Sequence, residues 1–316
     1  MTSIAVICAY FGKLPDCYGV WEKSCEYNPS IDFLLFTDQM IDGHPDNIHV
    51  INMDFKAVKT LVDRTMKRHV VLDYPYKLCD LKPMYGVIFQ DYLNQYDYWG
   101  HCDMDMVFGD LCFFFNKFGL EKYDKFLDLG HLSLYRNTEE NNSRFKCYGS
   151  QCGSWEKVLG EAKGHAFDER GGIYQIYKSN GFSMFDKRIY ADIAAIYKRF
   201  RCALQDINYK QQVFYWEKGK VYRDFWVNGK RESEEFIYIH FKKRSFSAAP
   251  FNPKTVESFY IGPDGFFEKS GVANLQSVLM FNPYKGSIYE GLELTRFNLR
   301  ALEKRVINKL KCWRRD

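Results

Sequence analysis

Apolar and polar positions follow two rhythms along the first hundred residues. Ile4 to Ala9 (IAVICA) is an unbroken apolar run, as a strand covered on both faces requires, and Tyr10-Phe11-Gly12 ends it. Ile31 to Thr37 (IDFLLFT), after an Asn28-Pro29-Ser30 turn, predicts a second strand, and Asn47 to Asn52 a third. Helical spacing follows over Phe55 to Arg68. Strand, helix, strand in repeated order predicts an α/β fold with a mostly parallel sheet flanked by helices. In Lys77 to Leu93, Leu78, Leu81, Tyr85, Ile88 and Tyr92 recur at steps of three and four. That spacing predicts a helix, with Asp80 as its N-cap and Pro83 in its first turn. Tyr98 to Cys102 reads as another buried strand, and it runs straight into Asp103-Met104-Asp105. From about Gly130 the pattern loosens. Gly130 to Tyr135 and Phe236 to Phe241 predict strands, separated by a loop-rich stretch (Asn137 to Ser183) and a helical one (Lys187 to Phe200).

Composition narrows the field. The chain has 316 residues, enough for one large α/β domain with an appendage. Aromatic residues make up 18% of it, which suits either an aromatic core or ring stacking on bases and sugars. A formal charge of +4 is too small to indicate a nucleic-acid partner without a concentrated basic face. The ten cysteines include no CxxC pair and no zinc spacing. The N-terminus has no signal-peptide character, and no window has the length and apolarity to span a bilayer. A reduced, cytosolic protein is the expectation.

Candidate chemistry gathers at strand ends. Asp103 and Asp105, at i and i+2, point to one side of an extended chain and can face one point in space. Two adjacent carboxylates repel unless a cation lies between them, and oxygen ligation suits Mg²⁺ or Mn²⁺ shared with substrate phosphates. His240 lies in an apolar run that ends in Lys242-Lys243-Arg244. It reads as a core histidine or as a further metal ligand, with the cations neutralising a diphosphate. Lys77, Asp80 and Lys82 mark a helix start that is an anion site or an ordinary solvated end. Thr37 and Asp38 end the second strand on the ligand edge of the sheet, where an acid can hydrogen-bond a ribose or a base. Asp168-Glu169, in GHAFDERGG, is a surface loop or the source of a carboxylate that deprotonates an acceptor hydroxyl.

The stretches YKLCDLKPMYG, YDYWGHCDMDMVFGD, GHLSLYRN and YIHFKKR, in this order, resemble a family of bacterial glycosyltransferases from capsule and exopolysaccharide clusters, over about residues 1 to 250. Most specific is the joint occurrence of K-x-x-D-x-K-P and WGHxDxD at this separation. The resemblance implies a GT-A-type fold, a UDP-sugar donor and a saccharide acceptor for hexosyl transfer. It also implies a metal at Asp103 and Asp105 with His240 as third ligand, and a catalytic part for Asp105. Lys77, Asp80 and Lys82 would face the donor sugar or its phosphates, and Tyr10, Phe11, Thr37 and Asp38 would line the uridine pocket. Residues 1–260 are then the catalytic domain, with a nucleotide-sugar half (1–130) and an acceptor half (131–260), and 261–316 are an extension. The span Arg296 to Arg315 carries eight Lys or Arg against one acid, while Leu299, Leu302, Val306, Leu310 and Trp313 keep helical spacing. Such a helix lies on an anionic membrane surface beside a lipid-linked acceptor, or packs on the domain. Two other classes share the paired acids or the aromatics: a metal-dependent hydrolase or nucleotidyltransferase, and a non-catalytic carbohydrate- or nucleic-acid-binding module. Against the nucleotidyltransferase, Tyr10-Phe11-Gly12-Lys13 is a thin phosphate loop.

Overall fold

The computed structural model describes residues 2–203, 208–242, 244, 246 and 248–313, those from 304 on by backbone alone. Strands β1 (Ile4–Ala9), β2 (Asp32–Thr37), β3 (Ile48–Asn52) and β4 (Tyr98–Cys102) lie in the order β3-β2-β1-β4, all parallel. The apolar runs of β1 and β2 divide by parity. Val6, Cys8, Phe33 and Leu35 pack into one core, with Trp21 of the helix Tyr18–Glu26. Ala5, Ile7, Leu34 and Phe36 pack into another, with Val58 and Val62 of the helix Phe55–Met66. Burying one such side chain contributes about 1.5–3 kcal/mol, so a strand feeding two cores must be apolar at every position.

β5 (Met106–Phe108) leaves this sheet, which β6 (Lys125–Leu129), β7 (Leu132–Arg136) and β8 (Met184–Phe185) complete in the order β4-β7-β6-β8. β7 runs antiparallel to β4 and to β6. β9 (Ala191–Asp192) and β13 (Tyr238–His240) join β5 in a small sheet of order β5-β13-β9. β10 (Gln212–Glu217), β11 (Lys220–Val227), β12 (Lys230–Phe236), β14 (Ser258–Gly262) and β15 (Gly265–Glu268) form an antiparallel sheet of order β12-β11-β10-β14-β15. The α/β class and the mostly parallel central sheet are as the sequence predicts.

Three local expectations are corrected. The stretch 77–93 is a chain of single turns (Leu78–Leu81, Lys82–Met84, Tyr85–Ile88, Gln90–Tyr92) rather than one helix. Asp80 does not cap it, because its carboxylate accepts from the amides of His165 and Phe167 in a distant loop. Lys187 to Phe200 is not helical. Ile237 N–H donates to Ile189 O and Ile193 N–H to His240 O, so this stretch pairs with the β13 segment, and tertiary pairing overrides the local pattern. The stretch 137–183, predicted to be loop-rich, holds the helices Glu139–Ser143, Trp155–Gly160 and Ile173–Asn180.

Candidate active site

The turn Asp103–Asp105 joins two strands in different sheets. β4 delivers Asp103, whose N–H donates to His131 O at 3.0 Å. β5 carries the chain away beside β13, with His240 opposite Met106 in the ladder, and Phe241 N–H donates to Asp105 O at 3.1 Å. This ladder brings His240 to the aspartate pair: its Nε2 lies 3.3 Å from Asp105 Oδ1 and 3.9 Å from Asp103 Oδ2. One ligand atom from each of Asp103, Asp105 and His240 falls within 4.8 Å of the others. Two carboxylates and an imidazole make an oxygen-rich set with one nitrogen, which fits Mn²⁺ well and Mg²⁺ acceptably. The aspartate side chains keep 29% and 31% of their surface open, so a ligand can share the cation. Burial works against the His240 imidazolium, but hydrogen bonds to Asp105 and Asp192 and the charges of Asp105 and Asp103 raise its pKa to about 10.

Lys82 forms the next wall. Its buried ammonium donates to Asp103 Oδ1 at 2.5 Å and to Gly130 O at 2.8 Å, with Asp168 Oδ2 at 3.5 Å. Burial opposes the Lys82 charge, but Asp103, Cys79 and Asp168 hold its pKa well above the usual range. Burial also dominates at Asp168 and, with Glu169 and Asp103 adding to it against the pull of Lys82, lifts the carboxyl to about 7. The ion pair therefore serves Lys82 more than Asp168, because Asp103 is the closer partner. A Cβ at Gly130 would collide with Asp168 Oδ2, so Asp168 lies sealed beneath that backbone. Glu169 is half-buried. Desolvation raises its pKa, Lys82 opposes, and the charges of Asp103 and Asp192 add to the rise.

Lys77 and Asp80 are not brought to this cluster. Lys77 Nζ donates to Asp80 Oδ2 at 2.8 Å and to Lys163 O at 2.7 Å. With the amides of His165 and Phe167 on Asp80, the pair clamps the loop that ends in Asp168-Glu169. Tyr10 is partly buried against the core at the end of β1, and burial, Cys17, Cys8 and Asp105 raise its hydroxyl pKa. Phe11 is core, 8% exposed and packed on Phe55. Thr37 is buried, and Asp38 accepts from Gly12 N–H at 2.9 Å and from Gln39 Nε2 at 2.8 Å, tying the ends of β1 and β2 together. Lys242 stands at the site with its ammonium 2.5 Å from Asp192 Oδ2. Arg244 turns away: its guanidinium donates to the carbonyls of Ala194, Tyr197 and Lys198 over the Phe200 ring. Lys243 lies outside the described residues.

Two site residues escape the sequence reading, Asp192 and His131. Asp192 is an acid inside the apolar stretch YADIAA, and His131 follows Gly130 at the head of β7. An ionisable residue amid buried apolar ones is the signal that points to both.

The profile of a family described as a family of unknown function, DUF6625, matches residues 6–270. The chain belongs to that DUF6625 family. The match runs through β15 and covers every site residue above; it stops before the helices Leu275–Phe281 and Ser287–Trp313. No curated protein matches the chain. Among solved structures, the galactosyltransferase LgtC in complex with donor and acceptor sugar analogues is similar at 10% identity and a TM-score of 0.36, over 60% of this chain and 75% of that one. At that score the likeness carries no weight, and the fold and site stand on the topology and distances given above.

Proposed function

We propose that this protein is a metal-dependent glycosyltransferase of GT-A type that takes a sugar from a nucleoside diphosphate donor, UDP-sugar being the first choice. The observation that carries the reading is the convergence of Asp103, Asp105 and His240 on one open point beyond the end of a central parallel strand, where ligands collect in α/β sheets. A divalent cation held there would neutralise the diphosphate and stabilise the charge that grows on it as the glycosidic bond breaks.

The chain's own residues supply the rest. Lys82 fixes Asp103 and adds a buried positive charge beside the leaving group. Tyr10 and the Thr37-Asp38 turn border the base side. An acceptor hydroxyl attacks the anomeric carbon, the bond to the phosphate oxygen breaks with its electron pair leaving on the diphosphate, and the hydroxyl proton passes to a carboxylate. Glu169 suits that last role better than Asp168, which Gly130 seals off, and burial raises the Glu169 pKa, which strengthens it as a proton acceptor.

The C-terminal helix supports a second part of the reading. No described helix is long and apolar enough to cross a membrane. Helix Ser287–Trp313 is held at its start by Glu290 on Arg199 and Arg201, while Ile288, Leu292, Leu299 and Leu302 on one side of it stay exposed. Beside the basic residues that follow in sequence, this face suits an anionic bilayer and a lipid-linked saccharide acceptor. Residues 1–260 as catalytic unit and 261–316 as extension belong to the same proposal.

Calorimetric titration with UDP, with and without Mn²⁺, tests the donor site. Binding that needs Mn²⁺ and disappears in Asp103→Ala/Asp105→Ala supports it. If no nucleoside diphosphate binds in either condition, the donor-site reading fails and a carbohydrate-binding module becomes the better account.

A further inference from the structure

Behind His240 lies a buried network. Asp192, 2% exposed, sits directly beside His240 in the β9–β13 ladder. Its Oδ1 is 2.9 Å from His240 Nδ1 and its Oδ2 is 2.5 Å from Lys242 Nζ. A carboxylate has no proton to give, so Nδ1 carries it and donates. Nε2 then faces Asp105 and Asp103, bonded to Asp105 while the ring is charged, and a cation there would take the place of its proton. The ring plane is fixed from the side: His131 stacks on His240 at 4.3 Å and 23°, and His131 Nδ1 is bonded to Tyr238 Oη at 2.7 Å.

Lys242 offsets the burial of the acid. A lone buried carboxylate loses its hydration without compensation unless a cation pairs with it. Lys242 has φ +45°, a left-handed conformation that a residue with a β-carbon adopts only when its surroundings hold it there. The bend turns its ammonium back onto Asp192 instead of letting β13 run on.

We infer that Asp192 is a positioning residue, which with Lys242 behind it holds His240 in the rotation and tautomer that offer Nε2 to a cation at Asp103 and Asp105. The inference rests on the metal reading of that trio. Asp192 serves as a support and not as a ligand of the trio: its Oδ1 faces Nδ1, the ring nitrogen turned away from Asp103 and Asp105, and a second cation between His131, Asp192 and His240 would lie against the Lys242 ammonium.

Mn²⁺ binding to the metal-stripped full chain, followed by the EPR signal of free Mn²⁺, is the test. One site per chain is expected, and Asp192→Asn weakens it by about 10–100-fold, the range for partners behind a ligand, while thermal melting stays cooperative. Lys242→Met, which keeps the carboxylate, weakens it in the same direction and decides the matter should Asp192→Asn not fold. Asp128→Asn is the control. Asp128 is equally buried, on Tyr190 and Arg170, and its loss lowers stability but leaves Mn²⁺ affinity within about threefold. Unchanged Mn²⁺ affinity in folded Asp192→Asn overturns the inference, as does a second bound Mn²⁺ that His131→Phe removes. If the wild type binds no Mn²⁺ at all, the metal reading falls, and NMR of metal-free protein judges the orientation by itself. A downfield His240 Nδ1–H resonance present in wild type and lost in Asp192→Asn upholds it; its absence in wild type overturns it.

Discussion

The two sides of the candidate site are built in opposite ways. On one side Asp103 and Asp105 stand in a short turn with about a third of each side chain open, two residues apart in sequence. On the other, His240, Asp192 and His131 are almost wholly buried and come from three separate segments of the chain. The open side keeps surface toward solvent, where a ligand can enter. The buried side is held by inward bonds at Asp192, His240 Nδ1 and His131 Nδ1. A site made this way places its adaptability where binding occurs and its rigidity where direction matters.

Substitutions should separate the two by what they damage. The largest effect belongs to the open side: Asp105→Ala is expected to lower turnover by about 10²–10³-fold, as loss of a charge-stabilising group does, with a smaller loss of stability than the buried variants below. Steady-state kinetics beside denaturant unfolding measures both, and equal damage to both would erase the distinction. The Lys77–Asp80 clamp under the 163–169 loop gives the reverse. Lys77→Met leaves Asp80 charged and buried, which costs about 3–5 kcal/mol of stability, read from the shift in denaturant midpoint. Lys77 touches no ligand in this account, so a Lys77→Met protein that is fully stable yet binds UDP poorly would restore it to the donor site.

A smaller effect tests why two sequence stretches occur together. A Cβ on Gly86 would lie 2.5 Å from the Trp99 indole, and Lys82 from the same stretch holds Asp103. Gly86→Ala therefore costs about 1–3 kcal/mol through overpacking, despite the better helix propensity of alanine. The smallest effect concerns pH. The folded pKa of Asp168, about 7, lies above the unfolded carboxylate value near 4. The folded state then binds more protons between these values, so stability declines as pH rises from about 4 to about 7. Asp168→Asn removes that slope, and urea midpoints at pH 5 and pH 8 that differ as much in the variant as in wild type would refute it.

Much of the open side is legible in the chain. The runs IAVICA and YWGHC can only be strands covered on both faces, and a DxD turn at the end of one lands on the ligand edge of the sheet. The buried side is half legible. His240 stands out beside a cationic run, but Asp192 sits in a stretch whose periodicity predicts a helix. Only pairing with β13, which follows it by nearly fifty residues, turns that stretch into an extended edge. Lys77 and Asp80 read as ligand-facing in sequence because both are charged and lie near Lys82. Four residues lie between the two lysines, enough to send one ammonium into a structural clamp and the other into the site. Such choices depend on which loop arrives overhead, here 163–169, and no local pattern encodes that.

In the proposed mechanism the open and buried sides meet at one metal and diphosphate centre. Anomalous diffraction at the manganese edge, from crystals grown with Mn²⁺ and UDP, tests it most directly. One strong peak bounded by Asp103, Asp105 and His240 is expected, with diphosphate density against it on the open side. A peak elsewhere, or UDP bound with no manganese between these three residues, would contradict it.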